Sequence, residues 1–206
     1  HLAADRAFQP IPDREARRVA NEYVLEPGFL LFVGTLEPRK NIPGLLRAYR
    51  LLLDRGVTAQ PLVLVGGKGW LYEEIFDRVE ALKLDDQVRF LHGVPDADLP
   101  GLYSAARVLT TPSFYEGFGL PALEAMSCGT PVVVADRASL PEVVGDAGIL
   151  VDPEDPEAMA KGLDRVLTDE ELRTRIAALG LERASGFSWE RVARETLDVY
   201  RQVMDR

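Results

Sequence analysis

The sequence predicts an α/β fold: a Rossmann-like, doubly wound sheet of six parallel strands, followed by extra helices at the C-terminal end. Three observations carry that prediction. Six short apolar runs recur between residues 29 and 153, with helical patterns separating them. The runs are mostly apolar in sequence rather than alternating, which suits strands covered on both faces. After residue 153 the pattern becomes wholly helical.

Taken in order, FLLFVG (29–34), PLVLVG (61–66), VRFLHG (88–93), RVLTTPS (107–113), PVVVAD (131–136) and GILVDP (148–153) read as the strands. Between the first two, Leu45, Leu46, Tyr49, Leu52 and Leu53 share one helical face, and Gly56 ends the run. Leu71, Ile75, Val79 and Leu82 form the face before the third strand, and Leu99, Leu102, Tyr103 and Ala106 the face before the fourth. PALEAMSC precedes the fifth strand and ASLPEVVG the sixth. Asp155 followed by Pro156 reads as an N-cap with proline in the first helical turn. Thr168-x-x-Glu171 reads as a capping box. Ser188 opens a last helix that places Trp189, Val192, Thr196, Val199 and Tyr200 on one face. With no internal repeat, low-complexity tract or long linker, residues 1–206 read as one domain.

The chain has 206 residues, 47% hydrophobic and 28% charged, enough to bury a core. A net charge of −9 argues against a nucleic-acid or anionic-membrane partner but leaves room for a small anionic ligand held by a few local cations. One cysteine, Cys128, allows no intrachain disulfide and no cysteine-based zinc site, and reads as a small core residue. Two histidines are too few for a histidine metal cluster. No apolar run reaches the roughly 18–20 residues that span a bilayer. The opening HLAADRAFQP lacks a basic and then apolar leader pattern. The expectation is a soluble protein in a reducing compartment. The same opening, without an initiator Met, reads as an internal stretch of a longer protein.

Ligands of open parallel sheets bind at the carboxyl ends of the strands. That rule points at the loops after Val33, Val65, Leu91 and Thr111. In GTLEPRKN (34–41), Gly34 admits close backbone approach, and the adjacent cations Arg39 and Lys40 suit a diphosphate, unless they belong to a solvated turn. Asn41 then caps the next helix. GGKGW (66–70) has the look of a phosphate loop without the full pattern, and a plain glycine-rich turn serves as well. His92 is as readily structural as a ligand.

FYEGFGLPALEAM (114–126) is the most informative stretch. Pro121 begins a helix that is apolar almost all round, hence buried. Its N-terminal end, at Gly119 and Leu120, offers free N–H groups and a positive dipole to a phosphate. Glu124 is anomalous there, because a buried carboxylate needs a partner. Either it takes the two vicinal hydroxyls of a ribose or it pairs inside the protein, for instance with an arginine. Glu116, on the loop before the helix, faces a second polyol such as a sugar ring or else solvent. Cations, a helix N-terminus and a carboxylate on each side describe a nucleotide-diphosphate-sugar site.

These segments, with LPEVVGDAGILVDP and the final FSWERVARETLDVYR, resemble family 4 retaining glycosyltransferases, the group 1 enzymes of GT-B architecture. Glu116 to Glu124 matches that family's E-x7-E motif. The resemblance covers nearly the whole chain and implies the C-terminal, donor-binding half of a two-domain enzyme. It makes 1–27 the segment near the linker and 186–206 the helix that crosses to the N-terminal half. By the same resemblance, Glu124 binds the ribose, and Glu116, the catalytic candidate, contacts the donor sugar with Gly117 and Phe118. Gly34, Arg39, Lys40, Gly119 and Leu120 hold the diphosphate, and the base lies near Gly67, Leu91 and His92.

The arginine that many members carry after the first strand is Thr35 here, and nearby Arg39 is the candidate replacement. No cofactor and no metal are implied, and no D-x-D motif is present; Asp85-Asp86 reads as a helix-end turn. The expected reaction is retaining transfer of a hexose to a hydroxyl acceptor, glycan or lipid-linked, bound mainly by the N-terminal half. The style of GTLEPRKN and GGKGW tilts the donor toward GDP-mannose. A nucleotide-sugar epimerase of the same architecture and a non-catalytic binding module are the rivals. The expected location is cytoplasmic, with any peripheral membrane contact on the other half.

Overall fold

The computed structural model describes residues 2–204; the outermost ends of the 1–27 and 186–206 segments, residue 1 and residues 205–206, lie outside the described residues. Six parallel strands form one sheet: β1 (Leu30–Val33), β2 (Leu62–Val65), β3 (Val88–Leu91), β4 (Val108–Thr111), β5 (Val132–Ala135) and β6 (Ile149–Val151). Their spatial order is β3-β2-β1-β4-β5-β6. Every strand falls inside an apolar run read from the sequence, because a run that must be covered on both faces has few alternatives.

Register explains the continuous apolarity. Leu30, Phe32, Leu62, Leu64, Val108 and Val133 pack on one face, under α2 (Ile42–Asp54), α3 (Glu73–Ala81) and α7 (Pro156–Thr168). Leu31, Val63, Val65, Leu109, Val132 and Val134 pack on the other. That face is covered by α1 (Asp13–Glu22), α4 (Leu99–Ala105), α5 (Leu120–Ser127) and α6 (Leu140–Val144). α8 (Glu170–Ser185) then packs on α5 and α7. Successive strand residues point to opposite faces, so the central strands need apolar residues in succession to serve both layers, whereas the edge strand β3 tolerates the exposed Arg89.

Chain order reverses between β1 and β4. The chain builds β2 and β3 on one side of β1, then returns to lay β4, β5 and β6 on the other. The connecting helices diverge there and leave a crevice at the carboxyl ends of β1 and β4. The loops 34–41 and 112–119 therefore face each other by topology alone.

The caps both confirm and correct the sequence reading. Asp155 caps α7 by accepting from Glu157 N at 2.8 Å. Ser188 Oγ accepts from Arg191 N at 3.1 Å and opens α9 (Trp189–Met204). The Thr168–Glu171 capping box does not form: Thr168 closes α7 and donates to Asp164 O at 2.8 Å, while Asp169 Oδ1 caps α8 through Leu172 N at 2.9 Å. The carboxylate is the stronger acceptor, and the hydroxyl is already spent on the preceding turn. Asn41 occupies the cap position of α2, but its side chain makes no cap bond. Its Nδ2 donates instead to Pro112 O (3.1 Å) and Pro153 O (2.6 Å), tying the β1, β4 and β6 loops together. Leu71 leaves its expected helical face: it precedes α3 with φ +54° and is exposed.

The segment before β1 contains α1, a helix not anticipated from the sequence. Ala16, Val19 and Ala20 are buried, and the helix packs on α4. α9 forms as expected but buries none of its residues; Trp189, Leu197, Val199, Tyr200 and Val203 stand exposed. Among the described residues no helix is long and apolar enough to cross a membrane.

Candidate functional site

The crevice is built from three glycine-containing turns. After β1 and β2 the chain turns at Gly34 (φ +152°) and Gly66 (φ +154°). A Cβ on Gly66 would lie 2.0 Å from the Gly34 carbonyl oxygen, so only glycine lets these backbones touch. The two loops are then strapped together: Leu36 N donates to Gly67 O at 2.9 Å and Gly69 N to Leu36 O at 3.0 Å. A 3-10 turn over Pro38–Lys40 aims the two cations. Arg39 points outward, 46% exposed, whereas Lys40 turns inward and is buried beside Gly34.

Lys40 is buried because Glu116 meets it. Lys40 Nζ donates to Glu116 Oε1 at 2.6 Å, and Ser113 Oγ donates to the same oxygen at 2.7 Å. Arg39 Nη1 lies 3.3 Å from Glu116 Oε2 and donates to Tyr115 O at 3.1 Å. Glu37 completes the cluster, 2.5 Å from Arg39 Nε. Two desolvated charges at this depth persist because each is the other's counter-charge, with Ser113 and Arg39 adding hydrogen bonds to the carboxylate. Glu116 is therefore not a solvent-facing loop carboxylate. The loop that carries it is anchored by Phe114 N donating to Arg39 O (2.8 Å) and Ser139 Oγ donating to Glu116 O (3.0 Å).

The third turn is Gly119, the N-cap of α5, at φ +97°. A Cβ there would lie 2.6 Å from Leu140 Cδ2. At the start of α5 the Gly119 and Leu120 N–H groups open toward the crevice; Pro121 carries none, and Ala122 N already donates to Gly119 O at 3.0 Å. Residues 116–121 and Leu2 line an open pocket of about 520 Å³.

Glu124 lies farther along α5, half-buried. Its internal partner is a tyrosine, not an arginine: Tyr103 Oη donates to Glu124 Oε2 at 2.7 Å. Burial pushes the Glu124 carboxyl above its ordinary value; the Tyr103 bond opposes the rise and the charge of Asp96 adds to it. Burial, then the Glu124 charge, pushes the Tyr103 hydroxyl well up. The Cys128 thiol, buried and near Glu124, is pushed up to about 12, in keeping with its reading as a core residue.

The loops after β2 and β3 meet through His92, whose Nδ1 lies 2.7 Å from Gly66 O. A carbonyl only accepts, which places the proton on Nδ1 and leaves Nε2 without one in the neutral ring. Lys68 of GGKGW sits over the Tyr72 ring at 4.8 Å and the Phe76 ring at 5.6 Å. Phe76 in turn stacks on Phe90, and Phe90 on His92. Lys68 thus caps an aromatic column rather than joining the Arg39–Lys40 cluster.

The structure brings Gly34, Arg39, Lys40 and Glu116 into one cluster, with Gly117, Phe118, Gly119 and Leu120 beside it. Glu124 stands behind, on α5, and Gly67, Leu91 and His92 edge the crevice at β2 and β3. Three members escaped the sequence reading: Glu37, Ser113 and Tyr103. Ser113 was legible only as part of a strand end. Tyr103 was legible as a core aromatic, though a buried tyrosine hydroxyl always asks for a partner. Among the described residues no group of three or more His, Cys, Asp or Glu is arranged to hold a metal.

Residues 13–183 match the family model described as glycosyl transferases group 1. An O-antigen chain mannosyltransferase B of Escherichia coli is 46% identical over 201 residues, which is 97% of this chain and 53% of that protein. A sucrose-phosphate synthase from Thermosynechococcus elongatus superposes with TM-score 0.85 at 32% identity, over 99% of this chain and 52% of its own. Anabaena HepE in complex with UDP and glucose superposes with TM-score 0.84 at 23% identity, over 96% and 55%. The chain spans about half the length of the relatives it matches. It belongs to the group 1 glycosyltransferases and has the fold of a GT-B half.

Proposed function

From its membership of the group 1 glycosyltransferases, we propose that the chain is the donor-binding, C-terminal half of a retaining hexosyltransferase. The donor is a nucleotide-diphosphate sugar, GDP-mannose being the preferred candidate. One observation carries the reading: the β1/β4 crevice juxtaposes Arg39 and Lys40, the open N-terminus of α5, and Glu116. That combination suits a diphosphate linked to a polyol. The 46% identical relative named a mannosyltransferase supports mannose. The similarly folded HepE, in complex with UDP and glucose, supports the ligand class.

In this reading Arg39, Lys40 and the N–H groups of Gly119 and Leu120 neutralise the diphosphate as it leaves. Arg39 takes the place of the cation missing at Thr35. The bond from the sugar's anomeric carbon to the diphosphate breaks. The acceptor oxygen bonds to the same face, and its proton passes to the departing phosphate oxygen. Glu116 and the backbone of Gly117 and Phe118 orient the sugar. Glu124 holds the ribose, and the base lies by Gly67, Leu91 and His92. Pre-organised cations and helix dipole act without the metal used elsewhere, because they need no reorganisation during the step. The hydroxyl acceptor is bound by the rest of the protein.

Thermal unfolding of the chain against UDP, GDP, ADP and their sugars tests the donor site, with Glu124→Ala as control. A ligand at 100 times its Kd adds about 2.7 kcal/mol, or roughly 5–10 °C for a chain of this size. A shift with GDP that Glu124→Ala abolishes is the expected result; no shift with any nucleotide, in this chain and again in the full-length protein, rejects donor binding. Product analysis with the whole enzyme, in EDTA, then separates α-linked transfer from epimerisation and from metal dependence.

A further inference from the structure

Tyr103 lies outside the E-x7-E motif, yet it touches the motif's second carboxylate. Its ring is fully buried, with the Phe8 ring edge-on at 5.8 Å. Its backbone is clamped as well, Thr130 Oγ1 donating to Tyr103 O at 2.7 Å. The hydroxyl therefore has one direction in which to donate, and Glu124 Oε2 lies there at 2.7 Å. The other oxygen, Oε1, has no partner among the described residues and is not sealed from solvent. A glutamate side chain has three torsions, and fixing them costs side-chain entropy. A rigid donor on one oxygen meets that cost before any ligand arrives and leaves the second oxygen to accept from it.

We propose that Tyr103 is a positioning residue: it locks Glu124 so that Oε1 is presented to the ribose hydroxyls, and so sets the preference for a ribonucleotide over a deoxyribonucleotide. This rests on the reading of Glu124 as the ribose ligand. Tyr103→Phe keeps the ring and its packing and removes only the donor. The alternative is that Glu124 merely satisfies a buried hydroxyl, in which case the variant alters stability without altering sugar preference.

The test measures Kd by calorimetry for GDP and UDP and for their 2′,3′-dideoxy analogues. Wild type, Tyr103→Phe, Glu124→Gln and the double variant are compared, each with its unfolding midpoint recorded. The expected result is that Tyr103→Phe weakens ribonucleotide binding about tenfold and leaves dideoxynucleotide binding unchanged. It adds nothing to the loss of preference in the Glu124→Gln background, because Tyr103 acts through Glu124. If Glu124→Gln abolishes the ribose preference and Tyr103→Phe retains it, the positioning role is overturned while the donor-site reading stands. If wild type shows no ribose preference, or Glu124→Gln keeps it, the ribose role of Glu124 falls and the positioning role with it.

Discussion

Glu116 and Glu124 belong to one motif, eight positions apart, and occupy opposite environments. Glu116 sits on a loop and is the more deeply buried, yet it is fully compensated, with Lys40, Arg39 and Ser113 on its two oxygens. Glu124 sits on a buried helix and receives one neutral hydrogen bond, so burial raises its affinity for a proton. The first carboxylate is part of a structural charge cluster that a diphosphate ligand would have to share. The second bears a burial cost that its one hydrogen bond does not offset. Depth of burial alone therefore does not say which carboxylate is strained; the identity of its partners does.

The sharpest way to break this comparison is to remove the partner of Glu116. Lys40→Met leaves the buried carboxylate with one hydroxyl and the half-exposed Arg39 guanidinium at 3.3 Å, and costs about 3 kcal/mol. Urea unfolding reads it, and Lys40→Met with Glu116→Gln together should cost less than the sum of the two singles. Additive losses would mean the two groups are not a pair.

The hinge between the two regions comes next. Gly119→Ala forces a side chain into the left-handed region and against Leu140 Cδ2, and should cost about 1–3 kcal/mol while weakening nucleotide binding. An unchanged midpoint would show that the first turn of α5 can relax.

Glu124→Gln sharpens the other side. A native carboxyl raised above the ordinary 4.5 binds its proton more tightly folded than unfolded. Its ionisation therefore penalises the native state as pH rises from about 4.5 through the raised value, and costs nothing below. Relative to wild type, Glu124→Gln should gain in unfolding midpoint between pH 4 and neutrality while losing nucleotide affinity. A parallel pair of pH profiles would remove the contrast with Glu116. The smallest effect belongs to Arg39→Ala: an exposed pair is worth under about 1 kcal/mol of stability. The same change should weaken diphosphate binding clearly, as titration with GDP would show.

Six apolar runs, their both-face burial and the crevice position followed from the sequence alone. Strand period and chain connectivity leave little freedom once each run must bury two faces. Asp155 and Ser188 were equally legible, since a cap depends on a few adjacent residues. The adjacent Arg39 and Lys40, the glycines and Glu116 were visible as residue types on the loops that line the crevice, and Glu124 on the helix that follows. α1 was not read, because its apolar stripe is only Ala16, Val19 and Ala20 in an otherwise polar helix, although the pattern itself is strongly one-sided.

What only the tertiary structure decided is which group meets which. Lys40 rather than Arg39 is buried against Glu116, across 76 positions of sequence. Asn41 abandons its cap to bridge Pro112 and Pro153, and Lys68 spends its charge on aromatic rings. Glu124 takes a tyrosine from α4 in place of an arginine. Local sequence sets periodicity and backbone preference, whereas a buried polar group is satisfied by whatever donor the packed neighbours bring within about 3 Å, and only the assembled sheet and its helices fix that.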